Sequence, residues 1–195
     1  MAIVLQKGQK VDLTKGNKGL KKVLIGLGWD VNKYDGRADF DLDSAAFCCA
    51  ADGKVKSESD FVFYNNLTHP SGGIKHLGDN LTGEGDGDDE IIYIDLNKLP
   101  KSVKKIRLFA NIFMAIFKTF QDVNGAFVRL VDGKNNKELA RYDLNDKERK
   151  YTAFHFADIS VKENELTFEI IGQGLNGSIS KIEKYIRNGT LPYKN

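Results

Sequence analysis

The chain alternates short apolar runs with Gly, Asn and Asp, a pattern that predicts many strands and one helix. Ile3-Val4-Leu5 and Lys10-Val11-Asp12-Leu13 read as short strands split by Gly8, with a turn at Asn17-Lys18-Gly19. Lys22 to Asp30 reads as a strand in which Gly26 and Gly28 either bend the backbone or admit a neighbouring one. Residues 32–37 are polar and turn-like. Asp39-Phe40-Asp41-Leu42-Asp43 alternates strictly, so on a strand its three carboxylates share one face, and the apolar run from Ala45 to Ala50 carries that strand into a core. Phe61 to Tyr64, Ile74 to Leu77, Glu90 to Leu96 and Lys105 to about Ala115 are further strand candidates.

Residues 116–123 are ambiguous, with Phe117 and Phe120 spaced for one helical turn. Ala126 to Val131 and Glu138 to Leu144 predict a hairpin with Asp132-Gly133 and Asn135-Asn136 in its loop, and Thr152 to Ile159 with Glu165 to Ile171 predict a second pair. Ser178 to Ile186 alone places its apolar residues at clear helical spacing. The resulting expectation is an all-β fold: an antiparallel β-sandwich of two packed sheets, about residues 1–174, with a short C-terminal helix at about 177–188. The 195 residues, 41% hydrophobic, suffice for one buried core, so a single domain over 1–195 is expected.

Charge changes the picture in one place. The formal net charge is only +2, which gives no reason to expect nucleic acid as a partner. Six carboxylates nevertheless crowd into the thirteen residues from Gly78 to Glu90, and no Lys or Arg occurs between Lys75 and Lys98. Carboxylates at i and i+2 on a strand, about 7 Å apart, repel by about 2–3 kcal/mol at an effective dielectric near 20. Asp39, Asp41 and Asp43 beside that loop therefore call for a counter-ion. Oxygen donors with flexible glycine spacing suit Ca²⁺ better than octahedral Mg²⁺. Zn²⁺ would want His or Cys at metal-site spacing, which His69 and His76 do not offer. Neither acidic stretch fits an EF-hand: Ser44 stands where the glycine is required and Ala50 where the glutamate is. The competing expectation is two solvated turns on different edges of the fold.

The remaining candidates are weaker. Cys48 and Cys49 are adjacent, so they point to opposite faces of a strand; two free thiols fit a reducing, cytoplasmic compartment, and their apolar neighbours predict burial. No transmembrane run and no leader is apparent. His69, His76 and His155 form no nucleophile–base pattern, and His76 is either a neighbour of the ion site or an ordinary histidine.

Asp39-Phe40-Asp41-Leu42-Asp43, Asp60-Phe61-Val62-Phe63-Tyr64-Asn65, the stretch Gly78-Asp79-Asn80-Leu81-Thr82-Gly83-Glu84-Gly85-Asp86-Gly87-Asp88-Asp89-Glu90, and Ile170-Ile171-Gly172-Gln173-Gly174 together resemble the TerD family of tellurium-resistance and stress proteins. The resemblance runs in order over nearly the whole chain, and the long acidic motif is its most specific part. It implies a Ca²⁺-binding β-sandwich, with two ions, in a cytoplasmic, non-enzymatic stress-response role. Its ligands would be Asp39, Asp41, Asn65, Asp79, Asn80, Glu84, Asp88, Asp89 and Glu90. It also implies protein partners in a stress-response complex, with membrane association of that complex left open. The alternative is a metal-dependent small-ligand or catalytic domain acting on a phosphorylated substrate. One segment departs from the family pattern: Phe113-Met114-Ala115-Ile116-Phe117 is more apolar than the family's usual polar stretch. Its composition predicts ordinary core; an exposed partner patch is the other expectation.

Overall fold

The computed structural model describes residues 3–13, 20–31, 40–84, 87–144, 150–162 and 165–193. The expected turns at 17–19 and 32–37, and Asp39, lie outside them. The strands are β1 (Ile3–Val4), β2 (Lys10–Asp12), β3 (Lys22–Asp30), β4 (Leu42–Cys49), β5 (Phe61–Val62) and β6 (Ile74–His76), then β7 (Glu90–Asp95), β8 (Lys105–Ile112), β9 (Asn124–Asp132), β10 (Glu138–Asp143), β11 (Ala153–Lys162) and β12 (Glu165–Leu175). Helix α1 (Ile179–Asn188) follows.

One sheet runs β1-β10-β9-β3-β7-β6 and the other β2-β12-β11-β8-β4-β5. Neighbours pair antiparallel, except that β1 joins β10 in parallel. The expected sandwich is therefore present. Its core lies between the sheets: Val23, Ile25 and Leu27 of β3 and Ile92 and Ile94 of β7 belong to the same buried cluster as Ile106 and Leu108 of β8 and Phe154 and Phe156 of β11.

All eight positions of β4 are buried. Leu42, Ala46 and Cys48 face the core between the sheets, while Ala45, Phe47 and Cys49 face a second cluster with Ile179, Ile182 and Ile186. The apolar stripe of α1 thus covers the outer face of this sheet, which explains why β4 reads as a continuous apolar run from Ala45 onwards. Gly189 ends the helix in the left-handed conformation at φ 72°, and its N–H reaches the carbonyls of Tyr185 and Ile186. The two cysteines are free and buried on opposite faces, as their adjacency predicts.

Three expected elements are shorter or different. The strand from Phe61 ends at Val62, because a tight turn pairs Phe63 with Asn66. The strand from Lys105 ends at Ile112, before Met114 takes φ 44°. The ambiguous 116–123 stretch contains only a 3-10 turn, Phe120–Asp122, closed by reciprocal hydrogen bonds between Thr119 and Asp122.

Candidate metal centre

Strict alternation at the start of β4 sends Asp41 and Asp43 to the same, outer face of the sheet. The loop after β6 brings Asp79 to meet them, and one carboxylate oxygen from each of the three lies within 4.8 Å of the others. Asp43 is buried, Asp41 half-buried and Asp79 exposed, so the cluster opens to solvent on the loop side. Asn111 stands directly across from Asp43 on β8 and donates Nδ2–H to Asp43 Oδ2 at 3.3 Å.

Glu90 approaches from the other sheet. Its Oε2 accepts the Ser44 N–H at 2.5 Å and lies 3.2 Å from His76 Nε2, which is also 3.2 Å from the Ser44 hydroxyl. Burial, then the charges of Asp79 and Glu90, push the Asp41 carboxyl up to about 6. Burial, then Glu90, Asp41 and Asp79, push Asp43 up to about 8 against the hydrogen bond from Asn111. Burial also raises Glu90, against its hydrogen bonds with His76 and Ser44. Asp41 and Asp43 are raised by burial first and then by the acids gathered around them in a low-dielectric corner.

The site residues fit a hard divalent cation. Asp41 Oδ1, Asn111 Oδ1 and Glu90 Oε1 are buried with no hydrogen-bond partner among the described residues. Unpaired acceptors beside mutually repelling carboxylates are what a bound cation would satisfy. Among the described residues the three donors that converge are carboxylate oxygens, the ligand type that Ca²⁺ prefers.

The rest of the acidic loop is wrapped around Trp29 at the end of β3. Asp89 Oδ2 accepts the Trp29 N–H at 2.9 Å, and Asp89 Oδ1 accepts from Asn80 Nδ2 at 3.2 Å. Asn80 Oδ1 in turn accepts the N–H groups of Thr82 and Gly83, a local turn that fixes the loop's shape. Gly83 lies against the indole, where a Cβ would fall 2.4 Å from Trp29 Nε1. Burial raises the Asp89 carboxyl against the Trp29 N–H, with Asp88 and Asp30 adding to the rise.

Asp88 is held differently. Arg129 of β9 grips it through two hydrogen bonds, Nε to Oδ1 at 2.7 Å and Nη2 to Oδ2 at 3.0 Å. The counter-charge missing from the local sequence is thus supplied by a strand some forty residues later. Gly28 passes the loop's backbone at close range, where a Cβ would lie 2.7 Å from the Gly87 carbonyl oxygen.

Residues 1–185 match the model of the TerD domain. The chain belongs to the TerD family. It is 47% identical over 184 residues to general stress protein 16U of Bacillus subtilis (strain 168), covering 93% of this chain and 95% of that one. It is 45% identical over 184 residues to tellurium resistance protein TerD of Serratia marcescens, with the same coverage of each chain. The crystal structure of a homologue of telluride resistance protein (TerD) from Streptomyces coelicolor A3(2) superposes with a TM-score of 0.71 at 24% identity, over 89% of this chain and all of that one, and so shares the fold.

In this TerD chain the ligand residues implied by the sequence divide into groups. Asp41 and Asp79 come together, and Glu90 abuts them through Ser44. Asn80 and Asp89 bond to each other; Glu84 is exposed, with its carbonyl accepting from Asn80. Asp88 is taken up by Arg129. Asn65 is exposed and lines a groove with Phe61, Phe63 and Ser180, one residue beyond Tyr64, whose hydroxyl the acids influence. Asp39 lies outside the described residues. Asp43 belongs to the cluster although the implied ligand set omits it, and the strict Asp-x-Asp-x-Asp alternation is the signal that places it there. Asn111 and Arg129 carry no comparable signal, because cross-strand register is not visible in sequence.

The apolar 113–117 segment is not core. Phe113, Met114, Ile116 and Phe117 are all exposed, whereas Phe120 is buried. The physical reason is that β8 ends at Ile112 and the chain turns outward, with left-handed backbone at both Met114 and Phe117.

Proposed function

We propose that this TerD-family chain is a calcium-binding, cytoplasmic stress-response protein of the tellurium-resistance type, acting as a non-enzymatic binding module for protein partners. The observation that carries the reading is the convergence of Asp41, Asp43 and Asp79, whose oxygens lie within 4.8 Å of one another, beside buried acceptors that lack partners among the described residues. Three carboxylates and a neighbouring amide oxygen suit Ca²⁺, which accepts six to eight oxygens in loose geometry. A second ion would draw on Asn80, Glu84 and Asp89 in the loop around Trp29. Buried free thiols support the reducing compartment, and no helix among the described residues is long and apolar enough to cross a membrane. Relatives named for general stress and tellurium resistance support the role.

An ion that binds only the folded chain stabilises it by mass action. Titration calorimetry should give Ca²⁺ heats with two sites, and EDTA should lower a melting temperature that excess Ca²⁺ restores. An unchanged melting curve in millimolar Ca²⁺, with no heats, would remove the reading. The exposure of Asp79 at the mouth of the cluster favours one second reading, a metal-dependent site acting on a phosphorylated ligand. Turnover of a generic phosphoester in Ca²⁺ or Mn²⁺, absent in an Asp43→Asn chain, would establish it instead.

A further inference from the structure

The cluster beneath α1 reaches the surface through a stack of rings. Phe47 of β4, fully buried, lies parallel to Phe61 of β5 with centroids 4.5 Å apart, and Phe61 lies parallel to Phe63 at 4.0 Å. The stack ends there: Phe63 is only half-buried, and Tyr64 meets it at 72° rather than continuing the series. The tight turn that pairs Phe63 with Asn66 fixes this last ring in position.

Phe61 and Phe63 line a groove of about 470 Å³ between that turn and α1. Two carboxylates from different elements line it as well: Glu58, exposed in the 3-10 turn Glu58–Asp60, and Glu183 of α1. Asn65 and Asn66 add uncharged amides, and among the described residues no lysine or arginine lines the groove. Arg187, one turn along the helix, pairs with Glu183 through Nε at 2.7 Å and through Nη2, but both contacts fall on Oε1. Asp41, Asp43 and Asp79 are not part of this lining, so the groove is a site separate from the acidic cluster.

Aromatic faces beside carboxylates with no cation in the lining complement a positively charged ligand. Shape narrows the choice. A planar, weakly hydrated guanidinium stacks on a ring and forks its N–H donors to carboxylates, whereas an ammonium holds its water more strongly. A nucleotide also offers a flat ring, but its phosphates would meet Glu58 and Glu183. Free arginine brings a carboxylate that meets the same repulsion; within a polypeptide that group is tied up in a peptide bond.

We infer that this groove receives an arginine side chain of a partner polypeptide, the guanidinium lying against Phe63 and donating to Glu58 and to Glu183 Oε2. Glu58 and Asn65 are exposed at the groove, so the side chain can enter while its backbone stays outside. The site gives the protein-partner part of the reading above a place and a chemistry, and it needs no metal.

The test is an amide-resolved NMR titration of the full chain in excess Ca²⁺ with three end-blocked peptides, Gly-Ser-Xaa-Ser-Gly, in which Xaa is arginine, lysine or the neutral arginine isostere citrulline. The arginine peptide is expected to shift the signals of residues 58–66 and 180–183 saturably, and the citrulline peptide to leave them in place. The lysine peptide is expected to bind about threefold more weakly. Glu58→Gln, at an exposed position, and Phe63→Leu, which keeps an apolar side chain, should each weaken the arginine peptide by about threefold. Equal binding of the arginine and citrulline peptides, undiminished binding by both variants, or shifts confined to residues 41–43 and 79 would overturn the proposal. Agmatine binding about tenfold more tightly than the peptide would assign the groove to a small molecule and overturn it as well. Ca²⁺ heats measured on the same samples judge the cation reading separately: their absence, with the groove shifts intact, would remove that reading alone.

Discussion

Gly26 lies directly beneath the carboxylate of Asp88: a Cβ at that glycine would fall 2.2 Å from Asp88 Cγ. The strand can accept the acidic loop only because it presents bare backbone there. The carboxylate cannot step aside, since Arg129 holds both of its oxygens.

Gly26→Ala should therefore displace the Asp88–Arg129 pair and destabilise the fold by about 1–3 kcal/mol, measured by urea unfolding. Arg129→Met should cost a similar amount by leaving the Asp88 side chain, only 7% exposed, without its partner. A change below about 0.5 kcal/mol in both variants would mean that the pair carries no structural weight.

Removing charge from the cluster should have two opposite effects. Asp41→Asn/Asp43→Asn relieves the repulsion among Asp41, Asp43, Asp79 and Glu90. At about pH 8 in EDTA this variant should melt at a higher temperature than the wild type, and added Ca²⁺ should no longer raise it. A variant that melts lower in EDTA would show that these carboxylates stabilise the ion-free fold.

The same groups set a pH dependence. The folded-state values of about 6 for Asp41 and about 8 for Asp43 exceed the ordinary aspartate value of 3.8, so the folded chain binds more protons than the unfolded one in between. Stability without metal should fall as pH rises from about 4 to about 8, more steeply below 6, where both groups contribute, than above it, where only Asp43 does. Ca²⁺ competes with those protons, so its affinity should rise over the same interval. Melting curves in EDTA and Ca²⁺ titrations across that range check both signs.

The helix can be tested separately. Ile182 is fully buried in the cluster that joins α1 to Phe47, Phe61 and Phe109. Ile182→Ala should cost about 2–5 kcal/mol and increase amide exchange along α1, while Ca²⁺ heats persist because the cluster residues are untouched. Loss of those heats would show that the helix and the acidic corner unfold together.

Local pattern carried the sequence reading a long way. β3 occupies the segment that its apolar run marks, α1 follows the spacing of Ile179, Ile182 and Ile186, and alternation put Asp41 and Asp43 on one face. What it could not supply were contacts set by register between distant strands. Asn111 faces Asp43, and Arg129 reaches Asp88, only because particular strands pair with particular offsets. The 113–117 segment misled for a different reason: apolar composition predicts burial, and backbone direction after Ile112 overrides it.

The two-sided burial of β4 fixes where this protein can tolerate changes of length. Deleting or inserting a single residue there would turn Asp43 in between the sheets, bring Leu42 out to the acidic corner, and exchange the phenylalanine under α1 for a neighbour of another size. The hairpin loop between β9 and β10, whose Asn135 and Asn136 are exposed, has no such constraint. Tags, reporters or spacers inserted into this scaffold belong in that hairpin, and β4 is the strand whose residue count must be left alone.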